Sequence, residues 1–95
     1  MEVIFEKGRS ILLTFVKKKK KSMYYFDCYL YDFALNNSAF VGTALYNKKD
    51  GRCYLPKFPI AKDSPISGEK LQEQIKDEIV QSIKSLDYVF ESITY

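Results

Sequence analysis

The stretch MYYFDCYLYDF, residues 23–33, decides the fold. Apolar and polar-capable side chains alternate along it with a period of two. Tyr24, Phe26, Cys28 and Leu30 fall on one face, and Tyr25, Asp27, Tyr29 and Tyr31 on the other. That is the pattern of a β-strand with one face toward a core. The first face carries no charge and is the natural seat for a covering element.

Upstream, residues 3–5 (VIF) and 10–16 (SILLTFV) are rich in β-branched and aromatic types, with Lys7-Gly8-Arg9 able to turn between them. They read as a hairpin. Five consecutive lysines, Lys17, Lys18, Lys19, Lys20 and Lys21, then lead into that strand; like charges repel and stay in water, so the run reads as an exposed connection. Downstream, Asn36-Asn37-Ser38 breaks the strand, because Asn tolerates left-handed backbone. Residues 39–46 form the next strand, and Lys48-Lys49-Asp50-Gly51 carries the Asp-Gly signature of a tight hairpin. Residues 52–60 read as a further extended segment. Its Pro56 and Pro59 lack ladder donors and place it at an edge.

After Gly68 the period changes. Leu71, Ile75, Ile79, Ile83 and Leu86 are spaced for one stripe of an amphipathic helix over about 67–86, with Ser64 or Ser67 as its cap. Glu69, Glu73 and Asp77 form a separate ridge that suits the helix dipole and reads as a solvated face. Residues 87–95 stay open: Phe90 and Ile93 would extend the stripe, whereas the residue types favour a strand. The expected fold class is α+β: an antiparallel sheet of four to five strands (about 2–60) packed by one C-terminal amphipathic helix, in a single domain spanning 1–95.

Composition narrows the function. With 46% hydrophobic residues and fifteen Tyr and Phe, the chain is too apolar for disorder. So many aromatics in so small a domain lead us to expect a homodimer. Residues 1–62 carry a net +7 and residues 63–95 a net −4, which together make the overall +3. No signal peptide is expected from the N-terminal residues, and the longest apolar run, residues 11–16, falls far short of the roughly 18 needed to span a bilayer. Cys28 and Cys53 make neither a disulfide framework nor a zinc site, so the expectation is a cytoplasmic protein with two reduced, half-buried thiols, no metal and no cofactor. Without histidine, neither thiol has the usual base beside it; no phosphate-cradling glycine loop is present either, and an enzyme is not expected.

What remains is binding. Five ammonium groups beside Tyr25, Tyr29 and Tyr31 suit phosphates and unpaired bases respectively, and Lys48, Lys49 and Arg52 add charge at a second turn. Against this, a lysine-rich loop also serves solubility and edge protection, and the tyrosines also suit packing against the helix or a second subunit. Asp27, in the middle of the tyrosine row, speaks against a dry core there.

The order Asn36-Asn37-Ser38-Ala39-Phe40-Val41, then Asp50-Gly51, then Pro59-Ile60, then one amphipathic helix resembles the stage V sporulation protein G (septation regulator) family. The resemblance runs without a gap from Asn36 to Ile60. It departs where the family carries a proline after its Phe-Val strand, here Ala44, and an acidic residue after the hairpin, here Leu55. It implies a small sheet-plus-helix dimer that binds DNA or RNA as a regulator. The competing expectation is a protein-binding module or inhibitor, phage- or mobile-element-encoded, acting on a host enzyme through the acidic helix ridge or a free sheet edge.

Overall fold

The computed structural model of the chain describes residues 2–6, 8–58 and 67–93, and the side chains of 2, 3, 8–58 and 67–89. Among the described residues five strands run in chain order across one antiparallel sheet: β1 (Glu2–Glu6), β2 (Arg9–Lys19), β3 (Met23–Asp32), β4 (Asn37–Asn47) and β5 (Arg52–Tyr54). One helix, α1 (Gly68–Ile93), covers one face. The α+β class expected from the sequence is the observed one.

Local chemistry explains each turn. Gly8, at φ +87°, and Gly51, at φ +73°, take left-handed positions that open to solvent. At the β3–β4 connection Asn36 takes φ +48°, and the Asp32 carboxylate accepts from the amides of Ala34 and Leu35. At the β4–β5 turn the Gly51 amide donates to the Asn47 carbonyl at 2.8 Å, while Asp50 accepts from the Arg52 amide at 2.9 Å.

The lysine run corrects the reading of an exposed connection. Lys17, Lys18 and Lys19 belong to β2, and only Lys20 and Lys21 make the turn, both left-handed at φ +52° and +63°. The Ser22 amide closes the turn by donating to the Lys19 carbonyl at 3.2 Å, across two left-handed residues where Asn-Gly is usual. Two single-residue irregularities then decide which side chains face which way. Phe15 pairs with Phe26 but Lys17 with Tyr25, so Val16 is an extra residue in β2. Strict alternation from Ile11, Leu13 and Phe15 would turn Lys17 and Lys19 toward the helix; the bulge turns them away and Lys18 toward it. In β4, Cys28 pairs with Gly42 and Tyr29 with Phe40, leaving Val41 as the extra residue.

The core lies between the sheet and α1. Ile11, Tyr24, Phe26, Cys28, Leu71, Ile75 and Ile79 are fully buried there, with Ile83 close behind, so the expected helix stripe and β3 face do meet. Ser67 caps the helix: its hydroxyl accepts from the Lys70 amide at 3.2 Å. Ser64 lies outside the described residues. Of the residues left open at 87–95, helix continues to Ile93, and 94–95 lie outside the described set. The segment expected to be extended over 52–60 forms a strand only at Arg52–Tyr54; residues 55–58 are irregular, and 59–60 are not described. Pro56 packs over β4 so closely that a Cβ on Gly42 would lie 2.6 Å from the proline Cβ, which is why that position has no side chain. The two thiols differ from the half-buried pair expected: Cys28 is fully buried and Cys53 partly so.

Candidate functional site

The helix covers one face of the sheet and leaves the other open. On that open face Tyr25, Asp27, Tyr29 and Tyr31 stand in a row along β3, half-buried among their neighbours. Successive members of such a row are about 7 Å apart, so the row is on the order of 20 Å long. The strand register sets a second order across the first. Lys17, Tyr25, Leu45 and Tyr54 form one transverse line, and Thr14, Asp27 and Thr43 the next. Leu12, Tyr29 and Phe40 make a third, and Ser10, Tyr31 and Ser38 a fourth. The Thr14–Asp27–Thr43 line is thus a polar line between two that carry aromatic rings. Tyr29 and Phe40 meet edge to face with centroids 5.6 Å apart, and Tyr31 and Phe33 at 5.1 Å. Phe40 and Tyr54 keep 60% and 55% of their surface in solvent, well beyond what a packed core tolerates.

The lysines of β2 join this face at one end. Lys17 Nζ lies 5.2 Å from the Tyr25 ring centroid and Lys19 Nζ 5.7 Å. Both lysines stay exposed, so their ammonium groups meet the ring and the solvent together. Lys20 and Lys21 extend the basic end at the exposed turn.

The remaining basic residues separate from this group. Lys18 faces the helix side: its Nζ sits 4.9 Å from the Tyr24 ring centroid and 3.2 Å from Asp87 Oδ1. Lys48 reaches the same carboxylate at 2.6 Å, and the Tyr24 hydroxyl donates a short hydrogen bond to it. Lys18 and Lys48 therefore tie the end of the helix to the β2–β3 and β4–β5 hairpins. Burial by itself would raise the Asp87 pKa, but hydrogen bonds from Lys48, Tyr24 and Lys18 outweigh it and hold the group down at about 2. Arg52 stays exposed on β5 with Asp50 at 3.9 Å, and Lys49 is exposed in the adjacent turn.

Of the eleven residues named from the sequence, Tyr25, Tyr29, Tyr31, Lys17 and Lys19 come together on one surface. Lys20, Lys21, Lys49 and Arg52 lie at its turns and edge, and Lys18 and Lys48 belong to the helix latch. Sequence reasoning missed Phe40, Leu45 and Tyr54, which join the face only through strand register. It missed Asp87 as well, whose partners are distant in the chain.

Chemically, the face offers stacking surface, ammonium groups and one carboxylate. The two thiols lie on the other face and are poor nucleophiles: burial pushes Cys28 up to about 11 and raises Cys53 too. Among the described residues no group of three His, Cys, Asp or Glu side chains is placed to hold a metal, and no helix is long and apolar enough to cross a membrane. The chain matches no protein-family model, no curated protein and no solved structure.

Proposed function

We propose that this protein binds nucleic acid through the open sheet face, with its tyrosines stacking on bases and its lysines meeting phosphates. The observation that carries the reading is the position of Lys17 and Lys19 over Tyr25, at the head of an aromatic row the helix leaves uncovered. Cations beside stacking platforms are what a single strand needs, because its bases are unpaired while its backbone keeps its charge. The acidic ridge of α1 lies on the other side of the sheet, so a polyanion is drawn to one side of the molecule only. With this reading go the regulatory role and the homodimer implied by the family resemblance, and the cytoplasmic setting expected from the composition. It makes the chain a binding protein and not an enzyme.

A second reading uses the same face for a protein partner, as a small inhibitor of a host enzyme would. The exposure of Phe40 and Tyr54 favours it, since aromatics of this kind anchor protein interfaces as well. Fluorescence anisotropy with labelled single-stranded DNA, duplex DNA and RNA at several salt concentrations tests the proposal. Binding to single strands that weakens linearly in log salt is the expected result. No binding to any of the three at low salt would replace the first reading with the second.

A further inference from the structure

Asp27 is an unusual residue to find in the middle of a surface that meets polyanions. Its carboxylate stands midway between Tyr25 and Tyr29 on β3 and lies opposite Thr14 and Thr43 on the neighbouring strands. Thr43 Oγ1 donates to Asp27 Oδ1 at 3.4 Å, a long hydrogen bond that leaves most of the acceptor capacity unused. Among the described residues no lysine or arginine forms an ion pair with it. A phosphate passing over this position would be repelled, so a strand lying on the face must present something else there.

Resting on the nucleic-acid reading above, we infer that Asp27 selects guanine among the bases stacked on the tyrosine row. The reason lies in the pattern of donors. A carboxylate only accepts, and it accepts best from two parallel donors side by side. Guanine presents N1–H and the N2 amine next to each other on one edge. Cytosine and adenine present one amine beside a ring acceptor, which the carboxylate repels, and uracil and thymine present one N–H between two carbonyls. A base stacked over Tyr25 or Tyr29 lies flat along the sheet, within about 7 Å of Asp27 along the strand, and can turn that edge to the carboxylate. The transverse line Thr14–Asp27–Thr43 is thus a reading position between two stacking lines. The specificity belongs to single strands, because pairing occupies this guanine edge in a duplex.

The test uses the intact chain and labelled oligothymidylate and oligouridylate about ten nucleotides long, with and without a single central guanine. Guanine is expected to tighten binding roughly tenfold in both sugars, the discrimination typical of a bidentate pair. Inosine, which lacks the N2 amine, is expected to lose most of that gain, and this comparison needs no change to the protein. Asp27→Asn is expected to erase the guanine preference, read as the ratio of affinities for strands with and without guanine. Equal affinity for guanine, inosine and the guanine-free strands would overturn the inference and leave the nucleic-acid reading standing. Failure of every oligomer to bind would overturn both.

Discussion

Lys18 in the second strand and Asp87 near the end of the helix, 69 residues apart in sequence, meet at 3.2 Å beneath the Tyr24 hydroxyl. Lys48 completes the cluster from the opposite side. A carboxylate that is only 14% exposed holds three donors from two hairpins, so the helix terminus is anchored where its apolar stripe runs out.

This latch makes stability depend on pH in a stated direction. Asp87 titrates in the folded protein at about 2, below the ordinary aspartate value of 3.8. Its contribution is therefore complete above about pH 4 and is lost as the pH falls toward 2. Asp87→Asn should destabilise the fold by about 1–3 kcal/mol at pH 7, the usual range for hydrogen bonds to a charged group. Urea melts of both proteins should converge between pH 4 and pH 2. A gap that stays constant across that window would mean the carboxylate charge is not what matters.

The β2–β3 turn is strained by its composition. Lys20 and Lys21 both adopt left-handed backbone, which costs a side chain with a Cβ roughly 1 kcal/mol or more at each position. Replacing the pair by Asn-Gly, Lys20→Asn with Lys21→Gly, should raise stability by about 1 kcal/mol, partly offset by the greater freedom of Gly in the unfolded chain. Thermal melts read the shift directly, and a lower midpoint would contradict the assigned turn geometry.

The helix face gives a plain contrast. Ile79 is fully buried, so Ile79→Ala should cost about 2–5 kcal/mol through lost transfer energy and the cavity left behind. Glu73 is exposed on the same helix, and Glu73→Ala should stay within about 0.5 kcal/mol. Equal losses in urea would place the helix in a different rotation about its axis.

What the sequence revealed and what it hid follow from the range of each interaction. The alternation of residues 23–33 and the stripe from Leu71 to Leu86 are periodic signals, and both faces packed as their periods require. A bulge leaves no such trace: nothing in SILLTFVKKKKK marks Val16 as the extra residue, yet it decides that Lys17 and Lys19 join the open tyrosine row while Lys18 turns to Tyr24 on the helix side. Charge repulsion argued for a loop at the lysine run. The strand survives it because two of its ammonium groups sit over Tyr25 in water and the third is neutralised by Asp87. At the C-terminal end the residue types favoured a strand while Phe90 and Ile93 offered to extend the stripe, and the helix continues to Ile93. Phe40 and Tyr54 were ordinary strand residues until pairing placed Phe40 beside Tyr29, and Tyr54 in line with Tyr25 across Leu45.

The division of the lysine run gives the most direct test of the proposed interface, because neighbouring residues of identical chemistry should fail in different ways. Lys17→Ser with Lys19→Ser removes two ammonium groups from the open face and nothing from the core. Affinity for single-stranded oligomers should fall, and the slope of log K against log salt should become shallower by about 0.7 for each phosphate no longer neutralised. Stability in urea should change little, since both side chains are exposed. Lys18→Ser removes a partner of Asp87 on the opposite face, so the fold should be weakened while affinity and salt slope, measured well below the melting transition, stay near those of the native chain. Tyr29→Ala with Tyr31→Ala should cost about 1–3 kcal/mol per engaged base and leave the slope unchanged, with circular dichroism confirming the fold. If the Lys18 variant loses as much salt dependence as the Lys17 and Lys19 pair, phosphates are being met by the whole basic end and not by the sheet face. If the tyrosine variants bind as tightly as the native chain, the lysines form an unspecific electrostatic patch.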